Sequence, residues 1–241
     1  MFADRETVFD TTNNFFIFNN IQASNNMNTD FARRQMVEQQ VRVWDVHNQD
    51  VLHVLGKVRR EQFVPAGCED VAYADTEIPL PHGQVMLRPI IEGRLLQALA
   101  LQGGDNVLEI GTGSGYLTAC LARLSATVTS IDVHADFISS AEGHLAAASI
   151  ENATLKSMDA TVELPAGEFD AIAVTGSVPR IEERFIDALR PGGRLFLVVG
   201  DSPVMRALLI TRDGDELRED NLFETNIPAL ENLADEPVFS F

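Results

Sequence analysis

Cysteine is nearly absent. Cys68 and Cys120 are the only two in 241 residues, and they fall in segments of different character, so neither a disulfide framework nor a paired-cysteine metal motif is at hand. Both are expected to be free thiols in a reducing compartment. Positive charge is also scarce, with 18 Lys and Arg against 36 Asp and Glu and a formal charge of -18. Such a surface repels phosphate backbones and anionic lipid, which argues against nucleic acid and membranes as partners. Its plain reading is solubility, including in a salty cytoplasm. Long apolar runs are missing too. No window approaches the roughly 18 consecutive apolar residues that a membrane span needs, and the N-terminus lacks the basic-then-apolar order of a secretory signal. The expected location is therefore cytoplasmic. What remains is 45% hydrophobic, enough for one sizeable core.

The chain divides into three parts, residues 1–26, 27–89 and 90–241. In the first, Asn13, Asn14, Asn19, Asn20, Asn25 and Asn26 surround the short apolar run Phe15 to Phe18 without a lasting period, and a disordered extension is expected. Met27 precedes the helix signal Asn28-Thr29-Asp30, so the functional start is read there. In the second part, apolar residues recur at three-to-four spacing from Asp30 to about Trp44 and from Gln49 to about Val58, which predicts two amphipathic helices. Phe31 and Trp44 are read as packing residues of the first. Pro65, Pro79, Pro81 and Pro89, with Gly67 and Gly83, force residues 63–89 into an irregular connection, and a loop of that length usually serves function.

From residue 90 strands and helices alternate. Helices are expected at Ile90 to Ala100, Tyr116 to Leu124, Phe137 to Ala147 and Ile181 to Leu189. Strands are expected at Asn106 to Ile110, Thr127 to Ile131, Ala153 to Leu155, Phe169 to Val174 and Arg194 to Val199, the last entered through the turn Arg190-Pro191-Gly192-Gly193. Glu182 and Glu183 suit a helix N-terminus. Alternation at these lengths implies an α/β, Rossmann-like, doubly wound sheet, mostly parallel, preceded by the helical preface. Arg212-Asp213-Gly214-Asp215, between the runs Ala207 to Thr211 and Leu222 to Thr225, predicts an antiparallel C-terminal hairpin.

The strongest motif is Val107-Leu108-Glu109-Ile110-Gly111-Thr112-Gly113-Ser114-Gly115-Tyr116. An apolar strand runs into a glycine turn that opens a helix, where unpaired N–H groups and a positive dipole meet a ligand. Alone the pattern is weak. The next strand, however, ends in Asp132, about twenty residues on, where a carboxylate accepts from both hydroxyls of a ribose. The following strand ends near Asp159-Ala160, a second acid at the sheet's carboxyl edge, suited to an adenine amino group. Glu109, two residues before the first glycine, suits a ligand carrying ammonium and sulfonium groups and repels a pyrophosphate. The glycine spacing also lacks the later glycine of the dinucleotide fingerprint. These features point to S-adenosylmethionine (SAM), with its site built around Glu109, Gly111, Gly113, Gly115, Asp132 and Asp159 and residues 90–241 as the SAM-binding domain.

The ordered set Phe63-Val64-Pro65, Ala72-Tyr73-Ala74-Asp75, Leu80-Pro81-His82-Gly83-Gln84, the glycine motif, Phe169-Asp170-Ala171-Ile172 and Arg190-Pro191-Gly192-Gly193-Arg194-Leu195 resembles the protein-L-isoaspartate O-methyltransferases over roughly residues 30–230. The resemblance implies methyl transfer from SAM to a carboxylate on a protein or peptide, in the service of protein repair, with Thr112, Ser114, Val133 and Ala160 joining Glu109, the three glycines, Asp132 and Asp159 in holding SAM. It breaks after Gln84. The family pattern continues with threonine, isoleucine, serine, any residue and proline, and its serine is implicated in catalysis. This chain reads Val85-Met86-Leu87-Arg88-Pro89. Leucine cannot donate a hydrogen bond, so the catalytic group is left unassigned, with His82, Gln84 and Arg88 as candidate substrate contacts. Arg88 would bind a carboxylate bidentately. Two alternatives stay open: a SAM-binding protein with impaired catalysis, and a methyltransferase of the same fold with another acceptor. His47, His53, His134 and His144 show no metal-ligand spacing with cysteines or acids, and no metal is expected. Oligomeric state is not legible.

Overall fold

The computed structural model describes residues 28–214 and 216–233; the expectations for residues 1–26 and for a start at Met27 lie outside them. A helical run over residues 28–44 (α1) is wound as a π-helix across Met36–Val41 and tightens to 3₁₀ across Arg42–Trp44. Met36, Val37 and Val41 are its buried face. Phe31 and Trp44 are not packing residues, at 52% and 55% exposure. Phe31 lies more than a turn before the first buried position. The extra residue of the π-turn rotates Trp44 off the face that a regular period predicts. The helix α2 (Gln49–Lys57) starts where Asn48 Oδ1 accepts the N–H groups of Asp50 and Val51 at 2.9 and 3.2 Å, a side-chain cap of the usual kind.

The proline-rich stretch after α2 forms short 3₁₀ turns and one two-residue antiparallel ladder, β1 (Ile78–Pro79) on β2 (Val85–Met86). Then α3 (Pro89–Leu99) leads to the alternating part. This comprises β3 (Asn106–Ile110), α4 (Tyr116–Leu124), β4 (Thr127–Asp132), α5 (Ala135–Ala147), β5 (Ala153–Ser157), β6 (Phe169–Val178), α6 (Glu183–Asp187) and β7 (Leu189–Val199), followed by the hairpin β8 (Met205–Asp213) and β9 (Glu216–Thr225). One seven-stranded sheet takes the order β5-β4-β3-β6-β7-β8-β9, parallel from β5 to β7 and antiparallel at β8 and β9. The doubly wound fold and the terminal hairpin are as the sequence predicts. Pairing of Phe169 with Leu189 and of Ala171 with Arg194 makes the Arg190–Gly193 turn a bulge within β7.

Strand residues alternate between two apolar layers. Val107, Ala171, Phe196 and Val198 pack with α1 to α4, and Leu108, Ile172, Leu195 and Leu197 pack with Phe185 of α6. The chain leaves β3 toward β4 and β5, then returns to β6 on the other side of β3, so helices diverge above the carboxyl end of β3. Ligands of open α/β sheets bind at such a switch point. Among the described residues, no helix is long and apolar enough to cross a membrane.

Candidate active site

The glycine turn sits at that switch point. Gly111 has φ 99, and a Cβ there would lie 2.1 Å from Thr175 Oγ1. That hydroxyl on β6 donates to the carbonyls of Ile110 and Gly111 at 3.0 and 2.9 Å, so only a residue without a side chain leaves room for the clamp. Gly115, φ 83, opens α4; its Cβ would meet Ala141 Cβ at 2.9 Å, because α5 packs directly on the turn. Gly113 is open except for Leu80 Cδ1 at 3.4 Å and lines a cleft shared with Asp132, Asp159 and Leu87.

Asp132 closes β4 and is 8% exposed. Its Oδ2 accepts the N–H of Gly113 at 3.0 Å and its Oδ1 that of His134 at 2.9 Å. Burial raises its pKa, opposed by those two N–H groups. Asp159, at the tip of β5, accepts the N–H and hydroxyl of Thr161 at 2.8 and 2.6 Å, and Nδ2 of Asn232 at 2.8 Å. Partial burial pushes its carboxyl up, but these bonds outweigh it and hold the group below its ordinary value. Thr112, Ser114, Val133 and Ala160 line the same cleft. The structure thus brings together the glycine turn and the two strand-tip acids.

Glu109 is elsewhere. It is wholly buried and does not line the cleft. Its Oε2 accepts the hydroxyls of Thr118 at 2.5 Å and Ser130 at 2.6 Å, and Ser130 is bonded to Thr112 at 2.6 Å. Its Oε1 has no partner. Burial pushes the carboxyl up to about 8, which favours its protonated form. Glu109 therefore supports the turn from beneath through hydroxyls, not from the cleft lining where the sequence reading expects it to meet the ligand.

Across the cleft, Leu87 is 7% exposed and lines the wall with Leu80, Val85 and Met86. Its carbonyl accepts from Arg60 at 2.6 Å. Arg60 is fully buried, ion-paired with Glu92, and lies 4.6 Å over the Tyr116 ring. Burial alone would lower its pKa; the Glu92 charge and hydrogen bond, together with Tyr116 and Cys120, outweigh this and hold it above its ordinary value. Glu92 itself reaches the cleft lining. Sequence reading missed this pair, although an acid beside Ile90, Ile91, Leu95 and Leu96 on α3 is a usable signal, since carboxylates are almost never buried unpaired. Arg88 is a correction: it lies 3.7 Å from Asp75 and lines no part of the cleft, because as the residue before Pro89 it is extended, φ -62 and ψ 143.

Gln84 lines the cleft and donates to Glu231 Oε1 at 2.9 Å. His82, with φ 59, stands at the rim rather than in the lining. It stacks on His134 at 3.8 Å with 5° between the rings, and contacts Asp136 Oδ2 through Nε2 at 2.9 Å. His134 Nε2 is 3.0 Å from Glu231 Oε1. Among the described residues, His82, His134 and Asp136 offer ligand atoms within 4.8 Å of one another. A metal, though, takes each imidazole lone pair in its ring plane, and two nearly parallel planes share no such point. The arrangement is that of two histidine–carboxylate pairs.

Comparison with known proteins bears on this geometry. The sequence profile described as Protein-L-isoaspartate(D-aspartate) O-methyltransferase matches residues 32–229. A relative with the name protein-L-isoaspartate O-methyltransferase 1, from Rhodopseudomonas palustris (strain HaA2), is 36% identical over 207 residues, 84% of each chain. A protein-L-isoaspartate O-methyltransferase of Methanoculleus marisnigri is 38% identical over 184 residues, 76% of this chain and 84% of its own. The fold is similar to that of a Plasmodium falciparum structure described as a beta-aspartate methyltransferase in complex with S-adenosyl-L-homocysteine, with TM-score 0.73, 21% identity, and coverage of 83% of this chain and 98% of that one. The profile match over residues 32–229, with relatives 36–38% identical over most of their length, shows that the chain belongs to the protein-L-isoaspartate(D-aspartate) O-methyltransferase family of SAM-dependent enzymes.

Proposed function

We propose that this chain transfers the methyl group of SAM to the carboxylate of an isoaspartyl residue in a protein or peptide. The observation that carries the reading is the meeting, in one cleft, of the glycine turn, Asp132 and Asp159 on one side and the residue 80–87 loop on the other. The residues present fit the cofactor. Gly113 leaves backbone space on the cleft side, the α4 N-terminus supplies unpaired N–H groups, and Asp132 places a carboxylate where a ribose can be gripped. Gly111, Thr112, Gly113, Ser114, Gly115, Asp132 and Val133 would hold the nucleoside, with Asp159 and Ala160 at the base. When bound, SAM supplies an electrophilic methyl group.

An ionised carboxylate is already a nucleophile, so the protein's task is alignment and exclusion of water rather than proton transfer. Leu80, Val85, Met86 and Leu87 provide a dry wall, Arg60 fixes the main chain at Leu87, and Gln84 offers an amide to the acceptor. The free thiols Cys68 and Cys120 and the acidic surface fit a cytoplasmic enzyme of protein repair that acts on protein rather than nucleic acid. In this reading residues 27–89 supply the acceptor side and residues 90–241 the cofactor side.

Leu87 favours a second reading, a SAM-binding protein with impaired catalysis. Incubation with SAM and an isoaspartyl peptide, read as methanol released on ester breakdown, separates the two. Turnover supports the enzyme. Tight SAM binding without turnover supports the second reading and rejects the first.

A further inference from the structure

After β9 the chain does not stop at the sheet's edge. It crosses back over the carboxyl ends of the strands, where Ser177 donates its N–H to the Pro228 carbonyl at 2.9 Å and accepts from the Leu230 N–H at 2.8 Å. It lies directly on Gly176, whose Cβ would meet the backbone of Leu230 at 2.8 Å. This strap delivers Glu231 to the rim of the cleft. There a single oxygen, Oε1, meets both Gln84 Nε2 at 2.9 Å and His134 Nε2 at 3.0 Å, and the neighbouring Asn232 donates to Asp159. The strap therefore ties the acceptor loop to the tips of β4 and β5. The contact with His134 is the first cause that holds the Glu231 carboxyl below its ordinary value, as expected of an acid that receives donors.

We infer that Glu231 is a positioning residue: by accepting from Gln84 and His134 it orients the Gln84 amide toward the acceptor and fastens the C-terminal strap over the cofactor. One amide hydrogen of Gln84 is spent on Glu231, which leaves its carbonyl and second N–H directed by that bond. A terminal amide otherwise rotates freely and presents either face. The inference rests on the methyltransferase reading and specifies how that site is closed.

The test uses the full chain with Glu231→Ala, Glu231→Gln, Gln84→Ala and the double variant Glu231→Ala/Gln84→Ala. Calorimetry with S-adenosylhomocysteine is run beside isoaspartyl-peptide kinetics. Loss of two charge-assisted bonds predicts that Glu231→Ala weakens S-adenosylhomocysteine binding and raises the peptide KM about tenfold each, with kcat and the melting temperature little changed. Gln84→Ala raises the peptide KM similarly, and the double variant is no worse than the singles for that constant. Glu231→Gln, whose amide oxygen still accepts, recovers most of the loss. Peptide-KM effects of the two single substitutions that multiply, or a Glu231→Ala protein that loses kcat and stability together with both constants unchanged, overturn the inference. Wild-type protein that binds S-adenosylhomocysteine no better than Glu231→Ala overturns it while leaving the methyltransferase reading intact. Wild-type protein with no affinity for that nucleoside removes both.

Discussion

On the cofactor side of the cleft, the glycine turn, Asp132 and Asp159 come from three consecutive strand ends of one winding, β3, β4 and β5. On the acceptor side, Arg60, Gln84, Leu87, Glu92 and Glu231 come from segments spread along the chain, and the Gln84–Glu231 bond joins residues 147 apart in sequence. The first half is built from local turn chemistry and backbone N–H groups, so few side-chain changes can alter it without breaking the strand-to-helix turn. The second is held by long-range side-chain contacts. It also holds Leu87, at the position where the resemblance read from the sequence expects a serine. A nucleoside needs the same grip in any such enzyme, whereas the acceptor side is free to change its chemistry while the cofactor side stays fixed.

The largest effect that tests this contrast is Asp132→Ala. It removes both the Gly113 clamp and the proposed ribose acceptor, and S-adenosylhomocysteine affinity should fall at least about a hundredfold by calorimetry. A drop of only a few-fold would put the cofactor elsewhere and dissolve the comparison. Next, Gly111→Ala combines a left-handed backbone with a methyl group on Thr175 Oγ1 and should cost about 2–4 kcal/mol of stability in chemical denaturation. Thr175→Ala in the same background should return part of it.

Glu109→Gln gives an intermediate, pH-dependent effect. The folded chain keeps the Glu109 proton up to about 8, against an ordinary value of 4.5. Its contribution is therefore most favourable below the ordinary value and is lost as pH rises toward 8, by up to ~1.4 kcal/mol per pH unit. The variant, which cannot ionise, should gain on the wild type as pH goes from 5 to 8 in thermal unfolding. A constant difference across that range would mean that Glu109 is ionised in the fold. The smallest effect is Leu87→Ser. A hydroxyl returned to the wall should raise turnover of an isoaspartyl peptide about tenfold, ~1.4 kcal/mol at the transition state, with some loss of thermal stability from the vacated volume. Unchanged turnover would show that alignment by the apolar wall is already sufficient.

Most strands and helices were legible because their signals are local. The apolar run around Val107 to Ile110, the glycine turn and the Asp-Gly hairpin each act within a few residues. The turn at Arg190–Gly193 was legible, though not its absorption into β7 as a bulge, since pairing with β6 decides that. Phe31 and Trp44 misled because apolar periodicity assumes a regular helix and α1 winds through a π-turn. Arg88 misled for a similar reason: a guanidinium beside the predicted loop says nothing of the direction in which the following proline turns it.

The sequence by itself determined the doubly wound sheet, the position of the glycine turn and the placement of Asp132 and Asp159 at strand tips, since hydrophobic period and turn chemistry are properties of neighbouring residues. Only the tertiary structure decided that Glu109 is buried and supports the turn from below, that Arg60 and Glu92 pair behind Leu87, and that Glu231 returns to the rim. Charge state and partner choice depend on burial and on distances between residues far apart in the chain, and these exist only once the chain has folded.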